Sequence, residues 1–457
     1  MKRFIFFSNT VLLILILVSA NLAQQEEALT LDACIKIALK NNSILRNAQR
    51  RLQSAGTNVT AATSNFLPSV SLSLGSGRFV QGARVIKQDV PIGLDPRTGR
   101  IIYEQKEIYQ NRVERNYNQA QISLNQTLFD FGRSIFTLKQ ARAQRDASKY
   151  SMLNTRQSVI LNVEQAYYEL LKAQRLADVY QEAVNLAEEQ VNRAQTMMDI
   201  GLASQAEVYQ AKVNLGTNQR NLLTQKNLVA IARANLNNAL GRDPSIEVRI
   251  IEDESAPIFP QYSFEEAVRV AIENNQEIKA LELQAQSYYY NYKVAQTLFM
   301  PTIGANLTYT RNNDEISRVY TAQLDKDYSA NIGARFNLNI FNGFSDKAAV
   351  QRESINYQMA LEDLMERKRT LTVEVKQYFL ELKTYQDILE INKQNIEAAK
   401  ENLRLQKEKR RVGSGTELDV TQAQVELTRA QTDYISAKYD AQIAKAKLEA
   451  AMGRIGE

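Results

Sequence analysis

Hydrophobic residues recur at every seventh position along four long stretches of this chain, which predicts four helices packed side by side along their length. No Pro or Gly interrupts residues 134–199 or 345–412, so each of these two helices would extend about 100 Å at 1.5 Å per residue. An ordinary coiled coil gives the same pattern, so the heptads alone leave the kind of protein open. The heptad positions, helix by helix, are Val163, Leu170, Ala177, Val184 and Val191; Val208, Leu215, Leu222, Val229 and Leu236; Val375, Leu382, Leu389, Ile396 and Leu403; and Val420, Leu427, Tyr434, Ala441 and Leu448.

Four shorter segments alternate apolar with polar residues, which predicts β-strands with one polar face. They lie within residues 69–74, 121–128, 302–307 and 331–340. A soluble sheet with one wet face would alternate in the same way, but strands of about ten residues can also cross a bilayer. Aromatic residues mark the same end of all four strands, where an interfacial aromatic band would lie. These aromatic residues are Phe66, Phe129, Phe299 and Phe341.

The chain contains two copies of one pattern, each reading helix, strand, strand, long helix, tight turn, helix. Residues 31–74 match residues 264–307 at an offset of 233, and residues 129–242 match 341–454 at an offset of 212. The first copy therefore carries a 21-residue insertion between about 75 and 117, which predicts an extra hairpin turning at residues 95–99. We divide the chain into a first repeat (24–242), a linker (243–263) and a second repeat (264–457).

The N-terminus has the pattern of a cleaved secretory signal at residues 1–23. A basic head precedes an apolar core, and small residues allow cleavage after Ala20 or Ala23. No later run of 18 or more apolar residues predicts a transmembrane helix. The sequence thus predicts an exported protein.

The residues that carry chemistry are few. The chain has no His and a single Cys, Cys34, which excludes a His-based catalytic triad, a His metal site and an internal disulfide. We expect no enzymatic activity, no cofactor and no metal. The net charge of +5 is spread along the chain without a basic block, which does not indicate a nucleic-acid partner.

The turns between paired helices also repeat. Gly201 and Gly413 suit a left-handed C-cap, and Ser204 and Thr416 can cap the helix that follows. An acidic residue at the third helical position completes a capping box, which we expect to be good with Glu207 and weaker with Asp419. As structure alone, each turn is a hairpin between antiparallel helices.

Four membrane-crossing strands cannot close on themselves, and an open sheet edge in lipid leaves backbone groups unpaired. The chain must therefore assemble, and this argument permits two, three or more copies.

The chain resembles the TolC family of outer-membrane factors in the order of its features. These are a signal, two repeats, Phe-Leu-Pro or Phe-Met-Pro at strand entry, Phe-Asp or Phe-Asn-Gly at strand exit, and Gly…Ser/Thr…Glu/Asp hairpins. The resemblance covers residues 29–454.

This resemblance implies a mainly α fold with a small β part. Long antiparallel helical hairpins would form a periplasmic α-barrel, and four strands per chain would contribute to a twelve-stranded β-barrel of a homotrimer in outer-membrane lipid. Residues 243–263 would join a belt around the helices. The implied function is a passive exit duct of a tripartite efflux pump or type I secretion system, working with a periplasmic adaptor and an inner-membrane pump. The cargo would be drugs, ions or secreted polypeptide. The alternative is a secreted or surface coiled-coil structural protein.

The resemblance also assigns roles to the two hairpin turns. The adaptor-docking tip would comprise Gly201, Leu202, Ser204, Gly413 and Thr416. A periplasmic gate would comprise Glu207, Arg410, Arg411 and Asp419, with Glu207 paired to one of the arginines and Asp419 lining the constriction. The family pattern is not fully kept, because Gly415 replaces an Arg of the second turn and Gln422 a ring carboxylate. The structural alternative is that the acidic residues only cap helices and that the arginines favour a helix C-terminus.

Overall fold

The computed structural model describes residues 28–252, 259 and 262–456. The signal predicted at residues 1–23 lies outside these described residues, as do positions 253–258, 260 and 261 of the predicted linker. The chain divides into two compact units. The helical unit contains residues 28–55, 143–285 and 359–456, and the sheet unit contains residues 56–142 and 286–358.

The elements follow one another in nearly the same order in both halves of the chain. The helices are α1 (Leu31–Asn41), α2 (Ser43–Thr63), α3 (Arg133–Asp199), α4 (Gln205–Ala239), α5 (Phe264–Asn274), α6 (Gln276–Gln296), α7 (Ile316–Val319), α8 (Ser345–Arg411) and α9 (Glu417–Ala451). The strands are β1 (Ser69–Gln81), β2 (Arg84–Leu94), β3 (Ile101–Gln110), β4 (Val113–Phe129), β5 (Thr302–Asn313) and β6 (Tyr328–Asn337). The division of the chain at residues 242 and 264 stays a prediction.

The long helices predicted from the heptads are confirmed, and α3 and α8 each have 67 residues. Heptad residues form the core of the helical unit. Val163 and Leu170 of α3 are fully buried in one cluster with Leu236 of α4. In the second half, Val375 of α8 is fully buried in a cluster with Leu448 of α9. Each long helix therefore packs on the antiparallel helix that follows it, as the heptad spacing requires.

The sheet unit contains the four predicted strands in the antiparallel order β1-β4-β5-β6. Apolar partners lie side by side across the sheet: Leu72 is opposite Ile122, which is opposite Tyr309. Polar residues form the other face, where Gln121 lies between Ser73 and Thr310. Within the chain, the described part of the sheet leaves the outer edges of β1 and β6 without a strand partner.

The end of β6 differs from the prediction. The alternation predicts a strand to residue 340, but β6 ends at Asn337, opposite Thr302 at the start of β5. Continuing that register would put Leu338 opposite Pro301, which lacks a backbone N–H, and Ile340 opposite Phe299, which ends a 3-10 helix. Neither residue therefore has a strand partner there. The predicted boundary is therefore wrong by three residues.

The insertion forms the predicted extra hairpin, in which β2 and β3 pair antiparallel. In its turn, the Asp95 carboxylate accepts hydrogen bonds from the Arg97 amide at 2.9 Å and the Thr98 hydroxyl at 2.7 Å. Gly99 adopts a positive φ of 66°. The turn chemistry that the sequence predicts is the chemistry that closes this hairpin.

The single helix predicted before each strand pair is wrong, because Asn42 separates α1 from α2 and Asn275 separates α5 from α6. The Asn42 side-chain oxygen accepts hydrogen bonds from the amides of Ile44 at 2.9 Å and Leu45 at 3.2 Å. Asn275 makes the same bonds to residues 277 and 278. A short polar side chain that bonds to the backbone competes with the helix ladder and starts a new helix.

Among the described helices, none is both long enough and apolar enough to cross a membrane.

Candidate functional site

Both hairpin turns lie in the helical unit. In the first turn, Gly201 takes a φ of +79° after α3, and its amide donates to the Met198 carbonyl at 2.9 Å. The Leu202 amide donates to the Met197 carbonyl at 2.8 Å, which satisfies a carbonyl left open at the helix end. The Leu202 side chain is 72% exposed. This turn therefore presents an apolar side chain to solvent on a fixed backbone.

The second turn has the same backbone, with Gly413 at a φ of +79°. Its capping box is complete: the Thr416 hydroxyl accepts from the Asp419 amide at 3.2 Å, and the Asp419 carboxylate accepts from the Thr416 amide at 2.9 Å. Two hydrogen bonds from Thr416, led by that of its hydroxyl, hold the pKa of the Asp419 carboxyl below its usual value. Asp419 is therefore ionised at neutral pH.

The expected ranking of the two capping boxes is wrong. The Ser204 hydroxyl accepts from the Glu207 amide at 3.3 Å, but the Glu207 carboxylate does not bond to the Ser204 amide. Its carboxylate instead accepts from the Ser204 hydroxyl at 3.3 Å and lies 3.9 Å from the Arg410 guanidinium. The longer Glu side chain can reach another hairpin, whereas the shorter Asp419 stays on its own turn.

Arg410 joins the two hairpins. Its guanidinium lies 3.9 Å from the Glu207 carboxylate and 3.4 Å from the Glu417 carboxylate. Arg411 lies away from this contact and pairs with Glu408 on its own helix at 2.9 Å. The structure thus brings Glu207 and Arg410 together and leaves Arg411 apart. Glu417 is a further member of this contact that was not predicted, although an acidic residue directly after the N-cap Thr416 is a recognisable signal.

A cavity of about 310 Å³ opens between α4 and α9 beside this contact, lined by Glu207, Arg410 and Gly415 among others. A Cβ at position 415 would approach the Lys409 Cβ to 3.1 Å and the Arg410 amide nitrogen to 3.2 Å. These distances are tighter than most Cβ contacts, so a side chain at position 415 would require Lys409 and Arg410 to move by a few tenths of an ångström.

The four aromatic residues predicted at the strand ends are all exposed in the sheet unit. Phe66 and Phe299 each end a short 3-10 helix just before a strand, while Phe129 is the last residue of β4. Phe341 lies beyond β6, with its ring 5.3 Å from that of Phe344. Exposed aromatic rings at one end of an apolar sheet face suit a membrane–water interface.

Comparison with known proteins gives a consistent set of matches. The outer membrane efflux protein family matches residues 34–242 and 267–454. Protein CyaE of Bordetella pertussis is 26% identical over 346 residues, which are 75% of this chain and 67% of CyaE. Outer membrane efflux protein BepC of Brucella suis is 23% identical over 323 residues, 71% of this chain and 63% of BepC. These matches span about two thirds of each curated relative. The crystal structure of the outer membrane protein VceC from Vibrio cholerae has a TM-score of 0.74 at 18% identity, over 93% of this chain and 96% of VceC.

Proposed function

This chain belongs to the outer membrane efflux protein family, and from that premise we propose that three copies form one exit duct with a shared lumen. The protein is an outer-membrane channel that extends into the periplasm. In the trimer, three sheet units close into one twelve-stranded barrel and the helical units line the periplasmic part of the duct. Drugs, ions or secreted polypeptide pass through passively, delivered by an inner-membrane pump and a periplasmic adaptor.

The observation that carries this proposal is the pair of unpartnered edges on β1 and β6. The sheet has one apolar and one polar face, which suits a wall between lipid and water. In lipid, however, every backbone N–H and C=O must be paired, so four strands with two open edges are not stable alone. Pairing β6 of one copy with β1 of the next removes every open edge.

The number of copies follows from the size of the lumen. Two copies would give eight strands, and an eight-stranded barrel has room only for its own side chains or one small ligand, without a continuous water-filled lumen. Three copies give twelve strands and are the smallest assembly that leaves room for water and cargo. The polar side chains of the inner face, such as Gln121 and Thr310, would then line that water.

We expect the detergent-solubilised protein to be a trimer, since only assembly satisfies the edges of β1 and β6. Light scattering combined with absorbance and refractive index measures the protein mass after subtraction of bound detergent. A stable single chain that retains its full strand content in the circular dichroism spectrum would contradict the proposal. Dimers would contradict the lumen argument while leaving the edge argument intact.

The two hairpin turns are the adaptor-docking tip of this duct. Their backbone is fixed by Gly201 and Gly413 and by the caps of Ser204 and Thr416. Leu202 is 72% exposed, and Val412 and Leu418 are similarly accessible. Exposed apolar side chains on a rigid turn supply the kind of anchor that a partner protein buries.

Replacing Leu202 with Asp is expected to reduce chemical crosslinking to the periplasmic adaptor and to lower export, because it puts a charge where an apolar contact forms. The trimer should remain intact, since the side chain lies in solvent. Gln219→Asp, at an exposed position of α4 away from the turn, is the control for adding a charge, and it should leave adaptor crosslinking unchanged. Unchanged crosslinking in the Leu202 variant would place docking elsewhere.

The Glu207–Arg410 contact, repeated in three copies, forms a gate at the same tip. Asp419, ionised and exposed, contributes a ring of three carboxylates at the constriction. Each exposed ion pair stabilises the closed tip by only about 0.5 kcal/mol. Three pairs together shift the equilibrium between closed and open tips about tenfold.

We expect Glu207→Lys to raise single-channel conductance in planar bilayers, because it replaces attraction to Arg410 with repulsion. Adding Arg410→Glu should lower the conductance part of the way by restoring an ion pair with reversed charges, and repulsion from the Glu417 carboxylate should keep the rescue incomplete. Arg411→Glu is the matched control, since Arg411 pairs with Glu408 on its own helix, and it should not restore the closed tip. A Glu207→Lys channel with wild-type conductance would remove the gate from the proposal.

A further inference from the structure

The apolar face of the sheet ends at a defined level along the strands. Val70, Leu72 and Leu74 of β1 alternate along this face, and the next two positions on it are Ser76 and Arg78. Their partners on β4 change at the same level, from aliphatic side chains to two asparagines. The face that suits lipid therefore becomes polar and then cationic.

In the proposed duct, this level is the outer surface of the membrane. Phe66 marks the end of the strands that joins the helices, and a tilted strand crosses a bilayer in about ten residues. Arg78 follows Phe66 by twelve positions, so it lies just beyond the hydrocarbon on the side away from the helices. An outward arginine is tolerated at this depth, whereas at the bilayer midplane it would be strongly destabilising.

The connection between β5 and β6 covers the same face on the membrane side of this arginine. Arg311 is 2% exposed, and its guanidinium donates to the carbonyls of Arg318 at 2.6 Å and Thr321 at 3.1 Å. The Tyr320 hydroxyl lies 3.1 Å from the Ser76 hydroxyl. These polar contacts fix the connection on the wall of the sheet and mark where its apolar belt ends.

Two arginines converge on one carboxylate just beyond this belt. Arg78 of β1 and Arg112, which directly precedes β4, each contact a different oxygen of the Glu114 carboxylate. Both arginine side chains are 64% exposed, and the Glu114 side chain is 29% exposed. Each guanidinium has five donors in a planar fork, and a single carboxylate occupies only some of them. The two arginines thus share one oxyanion and keep further donors open to solvent.

A third arginine lies beside this pair. Arg84 begins β2, and its Nε donates to the neutral side chain of Gln110 at 2.9 Å. Gln110 is two residues before Arg112. The arginine cluster, which we define as Arg78, Arg84 and Arg112 around Glu114, therefore has three positive charges against one negative charge.

We propose that the arginine cluster binds the phosphate groups of the phosphorylated glycolipid in the outer leaflet of the outer membrane. Guanidinium forks match phosphate oxygens two at a time. Glu114 holds Arg78 and Arg112 around one oxyanion position and leaves the cluster with a net positive charge. This inference rests on the proposed orientation of the duct in the membrane and adds a ligand at its outer rim.

The neighbouring apolar face favours a lipid over free phosphate. Val70, Leu72 and Leu74 are each more than half exposed on that face. Leu74 and Arg78 are four residues apart on one strand, which is about 13 Å. One lipid molecule therefore contacts both, with its acyl chains along the apolar residues and its phosphate at the arginines. Inorganic phosphate gains only exposed ion pairs, which are weak in water.

Native mass spectrometry of the full-length trimer, released from detergent with bisphosphorylated lipid A added, measures this binding. Arg78→Gln combined with Arg112→Gln should raise the Kd about fivefold. Glu114→Gln should lower the Kd about twofold, because it removes the carboxylate that competes with phosphate for both arginines. Arg115→Gln is the matched control and should leave the Kd unchanged. Arg115 lies on the same strand but on the opposite face, where its guanidinium is 5.2 Å from the centre of the Phe79 ring.

Two further ligands distinguish the source of the phosphate. Dephosphorylated lipid A should bind the wild type and the Arg78/Arg112 double variant equally, and millimolar inorganic phosphate should not displace the intact lipid. Displacement by inorganic phosphate would overturn the lipid as the ligand.

The trimer mass in the same spectra separates this inference from the proposed duct. An intact trimer that binds lipid A equally well with and without Arg78 and Arg112 would overturn the lipid site and leave the duct in place. A lipid that binds more weakly after Glu114→Gln would overturn the competition between carboxylate and phosphate on which the site depends. A protein that forms no oligomer would overturn the duct and the lipid site with it.

Discussion

Replacing Gly453 with Ala is expected to lower the free energy of unfolding by about 3 kcal/mol. Gly453 has a φ of +73°, a conformation that costs an L-residue about 1–2 kcal/mol. A Cβ at this position would also lie 2.7 Å from the Asn274 carbonyl oxygen and 2.9 Å from its carbon. Backbone atoms cannot swing aside as a flexible side chain can, so the overpacking adds about 1–3 kcal/mol. Denaturant titration followed by the helical circular dichroism signal measures the loss.

Gly413→Ala is the matched control for this prediction. Gly413 has a φ of +79°, but a Cβ there would meet nothing within 4 Å. It should therefore lose only the conformational part, about 1–2 kcal/mol. If both variants lose the same amount, close packing against Asn274 contributes nothing and the position matters only through its φ.

Glu164→Gln is expected to stabilise the protein at neutral pH by up to about 3 kcal/mol. Burial is the main reason that the pKa of the Glu164 carboxyl rises to about 7. The nearby Glu449 carboxylate raises this pKa further, and the Lys445 ammonium lowers it. Folding therefore favours the protonated acid. A shift from 4.5 to about 7 corresponds to about 3 kcal/mol at about 1.4 kcal/mol for each pH unit.

The sign of the pH dependence follows from this shift. Below about pH 4.5 the carboxyl is protonated in both the unfolded and folded chain, so it adds no penalty. Between about 4.5 and 7 the unfolded chain loses its proton first, so stability falls as pH rises, and the penalty is complete above about 7. Unfolding measured from pH 4.5 to 8 should show the wild type converging with Glu164→Gln at the acid end. Glu188→Gln removes an exposed charge from the same helix as the matched control, and an identical gain there would refute the burial argument.

The fold could be predicted wherever the pattern is periodic and repeated. Val163 and Leu448 fall on heptads, and their burial follows from the period of the helix alone. Leu72 and Ile122 fall on alternating strands, and the register that makes them neighbours puts both on the apolar face. Such patterns are local consequences of backbone geometry, and two copies of each make chance agreement improbable.

Features that depend on a choice between local and distant partners could not be predicted. Asn42 is compatible with a helix interior, and only its bonds to the Ile44 and Leu45 amides end α1. Glu207 fits a capping box by sequence, but Arg410 on another hairpin competes for its carboxylate. The first outcome is decided by local bonds that compete with the helix ladder, and the second by a residue about 200 positions away in sequence. The spacing of residues along one helix does not say which partner wins in either case.

The roles of the two hairpin turns in docking and gating remain predictions, because they depend on partners outside this chain. The sequence places Gly201 and Gly413 in matching turns, and the structure gives both the same φ of +79°. A turn is a local motif and is readable from a few residues. What the turn binds depends on a surface of another protein.

The open edges of β1 and β6 also set a problem for the newly exported chain before it reaches the membrane. A lone copy carries two rows of unpaired backbone groups and an apolar face, which together form a template for uncontrolled strand addition. In the proposed trimer, three such copies must meet before the barrel closes, so we expect productive assembly to slow steeply as the protein becomes scarce, whereas misassembly needs only one wrong encounter. We therefore expect the amount of assembled protein to depend on how long a single copy survives before it meets its partners, and not only on how fast it is made.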